Sequence, residues 1–125
     1  MQLNQAMFID KFCSEAIQVK EKLEASLANL QENPANNDEI MVIKRSSHSL
    51  KGLSLMLKFT AVGQLMSAME QASEKYATAG RGADPDYLYR VMEVVAALDE
   101  SIETIKAGNG NSLNWDSLTA KVKQL

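Results

Sequence analysis

The chain has 125 residues, 46% hydrophobic and 23% charged, with a formal net charge of −3 and a pI near 5.1. A chain of this size can bury a core without disulfides or metals, and its acidic balance argues against binding a phosphate backbone, which calls for a basic surface. Cys13 is the only cysteine, which excludes an internal disulfide and makes a reducing compartment the simpler expectation.

The start, MQLNQAMFIDKFC, has no basic stretch followed by an apolar one, so no signal peptide is expected. No segment approaches the ~18 uninterrupted apolar residues of a membrane span. A cytoplasmic location is the resulting expectation.

Five helical segments follow in order. In the first, Phe8, Phe12, Ala16, Val19, Leu23, Leu27 and Leu30 recur every three or four residues, as one buried helix face requires. It should stop at Asn33-Pro34, because the residue before proline is pushed out of the helical region. After a polar linker, Asp38 is the expected cap of the second helix. Its core stripe is Ile40, Ile43, Ser47, Leu50, Ser54 and Leu57, and the small Ser47 and Ser54 should let a neighbouring helix come close.

A break at Lys58-Phe59-Thr60 leads to a third helix, with Thr60 as its expected cap and Val62, Leu65, Met69, Ala72 and Tyr76 as its stripe. This helix should end in the flexible stretch Ala79-Gly80-Arg81-Gly82. Asp84-Pro85 opens the fourth helix, an aspartate cap followed by proline where no N–H is needed. Leu88, Val91, Val95, Leu98, Ile102 and Ile105 form its stripe, and Gly108-Asn109-Gly110-Asn111 closes it. Trp115, Leu118, Val122 and Leu125 suit a short last helix.

No strand-like alternation competes. Short links between amphipathic helices favour antiparallel packing. The expected fold is all-α: an up-and-down four-helix bundle with a short fifth C-terminal helix. The chain reads as one domain over 1–125, with its helical core at about 5–107 and the last helix at about 113–125.

His48 is the only histidine. At about 100° per residue it lies roughly 140° from Ile43 and roughly 160° from Leu50 around the second helix, so it points away from the core. Met41, Lys44, Arg45, Lys51, Gly52 and Leu55 share its face. Lys44 and Lys51 lie within side-chain reach of it. Gly52, one turn later, costs about 0.8–1 kcal/mol relative to alanine in a helix; a reason to keep it is clear space beside the ring.

A neutral imidazole is a nucleophile near neutral pH, and a phosphoryl group on it would be stabilised by nearby lysines. Phe59 lies midway in sequence between His48 and Glu70. If the second and third helices are antiparallel, equal rise per residue puts Glu70 level with His48. Its carboxylate should then accept from Nδ1–H and leave Nε2 free to attack. Met41, Arg45, Leu55, Met66 and Ser67 are the candidate docking residues around this centre.

His48-Ser49-Leu50-Lys51-Gly52 resembles the His-x-Leu/Ile-Lys-Gly motif of the histidine phosphotransfer family. The likeness is greatest to the first, phosphoryl-accepting domain of chemotaxis-type histidine kinases. Phe12-Cys13-Ser14-Glu15-Ala16 looks like the first helix of that domain, Ile43-Lys44-Arg45-Ser46-Ser47 matches its approach to the histidine, and Glu70 falls where the family places the carboxylate partner. The likeness covers roughly residues 5–107.

The resemblance implies a phosphorelay. His48 would take a phosphoryl group from a kinase ATP-binding domain and pass it to a receiver aspartate of a response regulator. ATP and Mg²⁺ would sit on those partner domains, with no cofactor or metal on this one and no catalysis by this domain alone. A monomer is expected, as part of a chemotaxis-like kinase or as a free-standing shuttle. The sequence departs from the family at Leu55, where a small residue is usual, and at Lys58, where glycine is frequent. Leu55 suggests the alternative of a non-transferring decoy, and a plain helical scaffold is a further one. A DNA-binding role is disfavoured by the pI and the lack of a recognition helix.

Overall fold

The computed structural model describes residues 2–125, with side chains from residue 5 onward. The helices are α1 (Gln2–Glu32), α2 (Asn37–Met56), α3 (Thr60–Ala79), α4 (Pro85–Lys106) and α5 (Asp116–Lys123), with one 3₁₀ turn at Gly110–Ser112. There is no strand among the described residues.

Cross-helix pairs fix the directions. From Lys44 to Glu74, and from His48 and Lys51 to Glu70, numbers rise on α2 while they fall on α3. Asn29 on α1 reaches Glu39 on α2, and Lys20 on α1 reaches Asp99 on α4. α2 and α3 are thus antiparallel, and the pairs Ser73–Tyr87 and Tyr76–Asp84 show the same for α3 and α4, as their short links require. α1 packs between α2 and α4, α2 packs on α3, and α5 lies mainly against α3 with a smaller contact to α4.

Local chemistry explains most of the boundaries. α1 stops one residue before Asn33-Pro34, where proline forbids another turn. Asp84 accepts from the Tyr87 N–H at 2.9 Å and caps α4, with Pro85 in the first turn. Two expected caps are corrected. Asn36, not Asp38, caps α2: its side chain accepts from the Asp38 N–H at 3.2 Å. Asp38 instead lies in the first turn with Glu39, where carboxylates complement the positive end of the helix dipole.

Thr60 is already helical, preceded by Phe59, and no side chain caps α3. The reason is the way α2 ends. The Lys58 N–H donates to the Leu55 carbonyl at 3.1 Å and the Phe59 N–H to the Ser54 carbonyl at 2.8 Å, the paired bonds of a Schellman turn. Lys58 adopts φ 66° to make them, which swings the chain into α3 without a separate cap. α5 starts at Asp116, later than the expected 113, after the 3₁₀ turn. Trp115 anchors it by donating from Nε1–H to Ser101 Oγ at 2.9 Å.

The expected stripes on α2 and α3 are buried, apart from the half-buried Leu57. Phe8 is a correction: it is 52% exposed, on the rim of an open groove at the bundle end beside Met56 and Phe59. Ser47 and Ser54 are fully buried on α2, their hydroxyls without a partner, so size is what these positions contribute to the packing. Among the described residues, no helix is long and apolar enough to cross a membrane.

Candidate functional site

His48 stands near the middle of α2 with its side chain 66% exposed. Its Nδ1 lies 2.7 Å from Glu70 Oε2. The other oxygen, Oε1, is 2.8 Å from Lys51 Nζ, and the glutamate side chain is only 17% exposed. Burial works to raise the Glu70 carboxyl pKa, but the hydrogen bonds and the charges of Lys51 and His48 together outweigh it and hold the group below the ordinary glutamate value. An ionised carboxylate can only accept. The shared hydrogen therefore belongs to Nδ1, which in a neutral imidazole leaves the lone pair on Nε2.

The antiparallel α2–α3 pair makes this arrangement. His48 and Glu70 are equally far from Phe59 along two rods of equal rise. The same midpoint pairs Lys44 with Glu74, whose Nζ···Oε2 distance is 2.8 Å. Sequence reasoning missed Glu74, although the register that located Glu70 was enough to find it. It also left out the bond between Lys51 and Glu70: Lys51 braces the carboxylate that holds the histidine.

Around the ring, a Cβ on Gly52 would meet nothing within 4 Å. Arg45 is exposed, and Met41 and Ser67 are half-buried. Leu55 is 47% exposed, but it lies against α3: a Cβ on Gly63 would collide with its Cδ2 and Cγ. The missing side chain at Gly63 makes the notch that receives Leu55. Met66 is a correction. It is 0% exposed and belongs to the core, because it falls on the face of α3 that carries the buried Val62, Met69, Ser73 and Tyr76. It cannot line a docking surface.

Cys13 is buried and free, and burial pushes its thiol pKa up, the setting of an inert core cysteine. No group of three or more His, Cys, Asp and Glu among the described residues is arranged to hold a metal ion.

The site is thus an exposed imidazole on a helical bundle, hydrogen-bonded through Nδ1 to a carboxylate and flanked by two lysines on its own helix. The family model for the Hpt domain matches residues 7–108, and the chain belongs to that family.

Among curated proteins it is similar to the chemotaxis protein CheA of Listeria monocytogenes, with 23% identity over 94% of this chain and 19% of that protein. The chemotaxis protein CheA of Treponema pallidum is 32% identical over 79% of this chain and 12% of its own length. The sensor histidine kinase CheAY of Helicobacter pylori is 25% identical over 94% and 15%. The chain thus spans less than a fifth of the length of these relatives. No solved structure gives a significant match.

Proposed function

We propose that this chain is a phosphotransfer module of a two-component relay in which His48 Nε2 is the phosphoryl carrier. The observation that carries this reading is the 2.7 Å bond between Nδ1 and Glu70 on an otherwise open ring. In the forward step, Nε2 attacks the γ-phosphorus of ATP held with Mg²⁺ by a kinase catalytic domain. The Nε2–P bond forms, the bond from phosphorus to the β,γ-bridging oxygen breaks, and ADP leaves. The ring gains positive charge, which the Glu70 carboxylate offsets through Nδ1–H. In the second step a receiver aspartate attacks the same phosphorus, the Nε2–P bond breaks, and the ring returns to its neutral form.

Lys51 keeps Glu70 in place, and its ammonium has three donors, so one can also face a phosphoryl oxygen. Lys44 is the second cation. Gly52 leaves room for the partner's active site, and Met41, Arg45, Leu55 and Ser67 form the surface around it. In this reading Leu55, seated in the Gly63 notch, is part of the docking surface and not an obstruction. By its likeness to CheA, the chain fits the phosphoacceptor region of a chemotaxis-like kinase, with a kinase ATP-binding domain and a response-regulator receiver as partners.

The test is to incubate the chain with a histidine kinase catalytic domain and labelled ATP, then with a receiver domain. Acid-labile, base-stable label should appear, move to the receiver, and be lost in His48→Gln. Label that persists in His48→Gln would refute the assignment.

A further inference from the structure

Two lysines flank His48, and the structure treats them differently. Lys51 is tied to Glu70, which is mostly buried and also holds the histidine. Lys44 is tied to Glu74, which is 53% exposed and makes no other ion pair or side-chain hydrogen bond among the described residues. A screened pair of this kind is weak, whereas releasing Lys51 would leave a half-buried carboxylate short of a donor. Of the two cations, Lys44 is the one that can leave its partner when a new anion arrives.

We infer that Glu74 is a positioning residue that holds Lys44 in reserve beside His48 and thereby sets how tightly the phosphoryl group is kept. This rests on the phosphotransfer reading above. Lys44 precedes His48 by four residues, one helical turn, so its ammonium can reach either the Glu74 carboxylate or a group on the imidazole. In the unmodified protein Glu74 holds it. A phosphoryl group brings nearly two negative charges and competes for it. Glu74 therefore draws charge stabilisation away from the phosphorylated state. That raises the readiness of the phosphoryl group to move on. Lys51 cannot tune transfer this way without disturbing the orientation of the ring.

Glu74 lies one turn further along α3 than Glu70, and its only contact with the chemistry is through Lys44. Glu74 is exposed enough that its amide variant should fold, and a thermal melt by circular dichroism verifies this.

The experiment compares wild type, Glu74→Gln, Lys44→Gln and the double variant. Each is charged with phosphoramidate, whose P–N bond breaks with loss of ammonia as Nε2–P forms. The readouts are the lifetime of the phosphohistidine, followed by ³¹P NMR, and its transfer equilibrium with a receiver domain. Glu74→Gln should lengthen the lifetime and shift the equilibrium toward phosphohistidine by roughly two- to fivefold, the scale of one exposed ion pair. Lys44→Gln should shift both the other way. The double variant should match Lys44→Gln, and Glu74→Asp should stay near wild type.

Lifetimes and equilibria in Glu74→Gln equal to wild type would overturn the inference while leaving the acceptor role intact. So would an effect of Glu74→Gln that persists when Lys44 is already glutamine. A wild-type chain that never takes up phosphate would instead sink the phosphotransfer reading, and this inference with it.

Discussion

A bond from Nδ1–H to an ionised carboxylate does two things to an imidazole: it selects the tautomer and fixes the plane of the ring. Glu70 does both for His48, and Lys51 fixes Glu70 in turn. Glu70→Ala should therefore slow phosphorylation of His48 by about 10- to 100-fold, the usual cost of losing an orienting partner, as measured by initial labelling rates. Because the folded Glu70 pKa lies below the unfolded one, its pairs contribute stability above the ordinary glutamate value of 4.5. That contribution is lost as the pH falls through the lower folded value. Denaturant titrations across this window should show Glu70→Gln losing less stability on acidification than wild type. Gly52 makes a second case. Nothing in this chain needs the missing side chain, so Gly52→Ala should raise the stability of the isolated chain by up to about 1 kcal/mol while lowering its phosphorylation by a kinase domain. Slower transfer without added stability would point to a requirement inside the helix rather than at the partner.

At the scale of the elements, the turn between α2 and α3 sets the register on which the site depends. It is closed by Lys58 in the left-handed region at φ 66°, a conformation that costs a residue with a Cβ about 1–2 kcal/mol. Lys58→Gly should therefore stabilise the fold by about 0.5–1 kcal/mol after the greater chain entropy of glycine is counted, as read from urea midpoints. A loss of stability would mean that the lysine side chain makes a contribution larger than its strain. The order of helices was legible from periodicity, and the His48–Glu70 pairing from the midpoint at Phe59. The caps were less so. Whether Asn36 or Asp38 caps α2 depends on which residue leaves the extended region first, and a run of Asn36, Asn37 and Asp38 offers three residues able to cap. Thr60 was displaced by a Schellman turn that a lysine does not advertise.

For the molecule as a whole, which surfaces are open depends on how many neighbours each helix has. Met66 is buried on the stripe it shares with Val62, Met69, Ser73 and Tyr76, a spacing of three and four residues that is legible in the sequence. Ala68 and Ala72, on the other side of α3, are covered by α5, and no local signal on α3 reveals that a helix so much later in sequence will pack there. α5 itself lies beyond the stretch matched by the family model. It meets α3 around Ala68, Ala72 and Lys75, the side of that helix roughly opposite Glu70 and Glu74. It therefore supports the bundle without touching the reactive centre. Val122→Ala should cost about 1–3 kcal/mol of stability with no change in the labelling rate of His48 at temperatures where the variant stays folded. A changed rate would show that α5 reaches the site through α3.

Which ring nitrogen of His48 is free to react follows from the bond between Nδ1 and Glu70. The most direct measurement is to charge ¹⁵N-histidine-labelled chain with phosphoramidate and assign the phosphorylated nitrogen from its ¹⁵N–³¹P coupling. With Glu70 holding Nδ1, a single phosphorylated species on Nε2 of His48 is expected. Phosphate on Nδ1, or an even mixture of the two isomers, would contradict it.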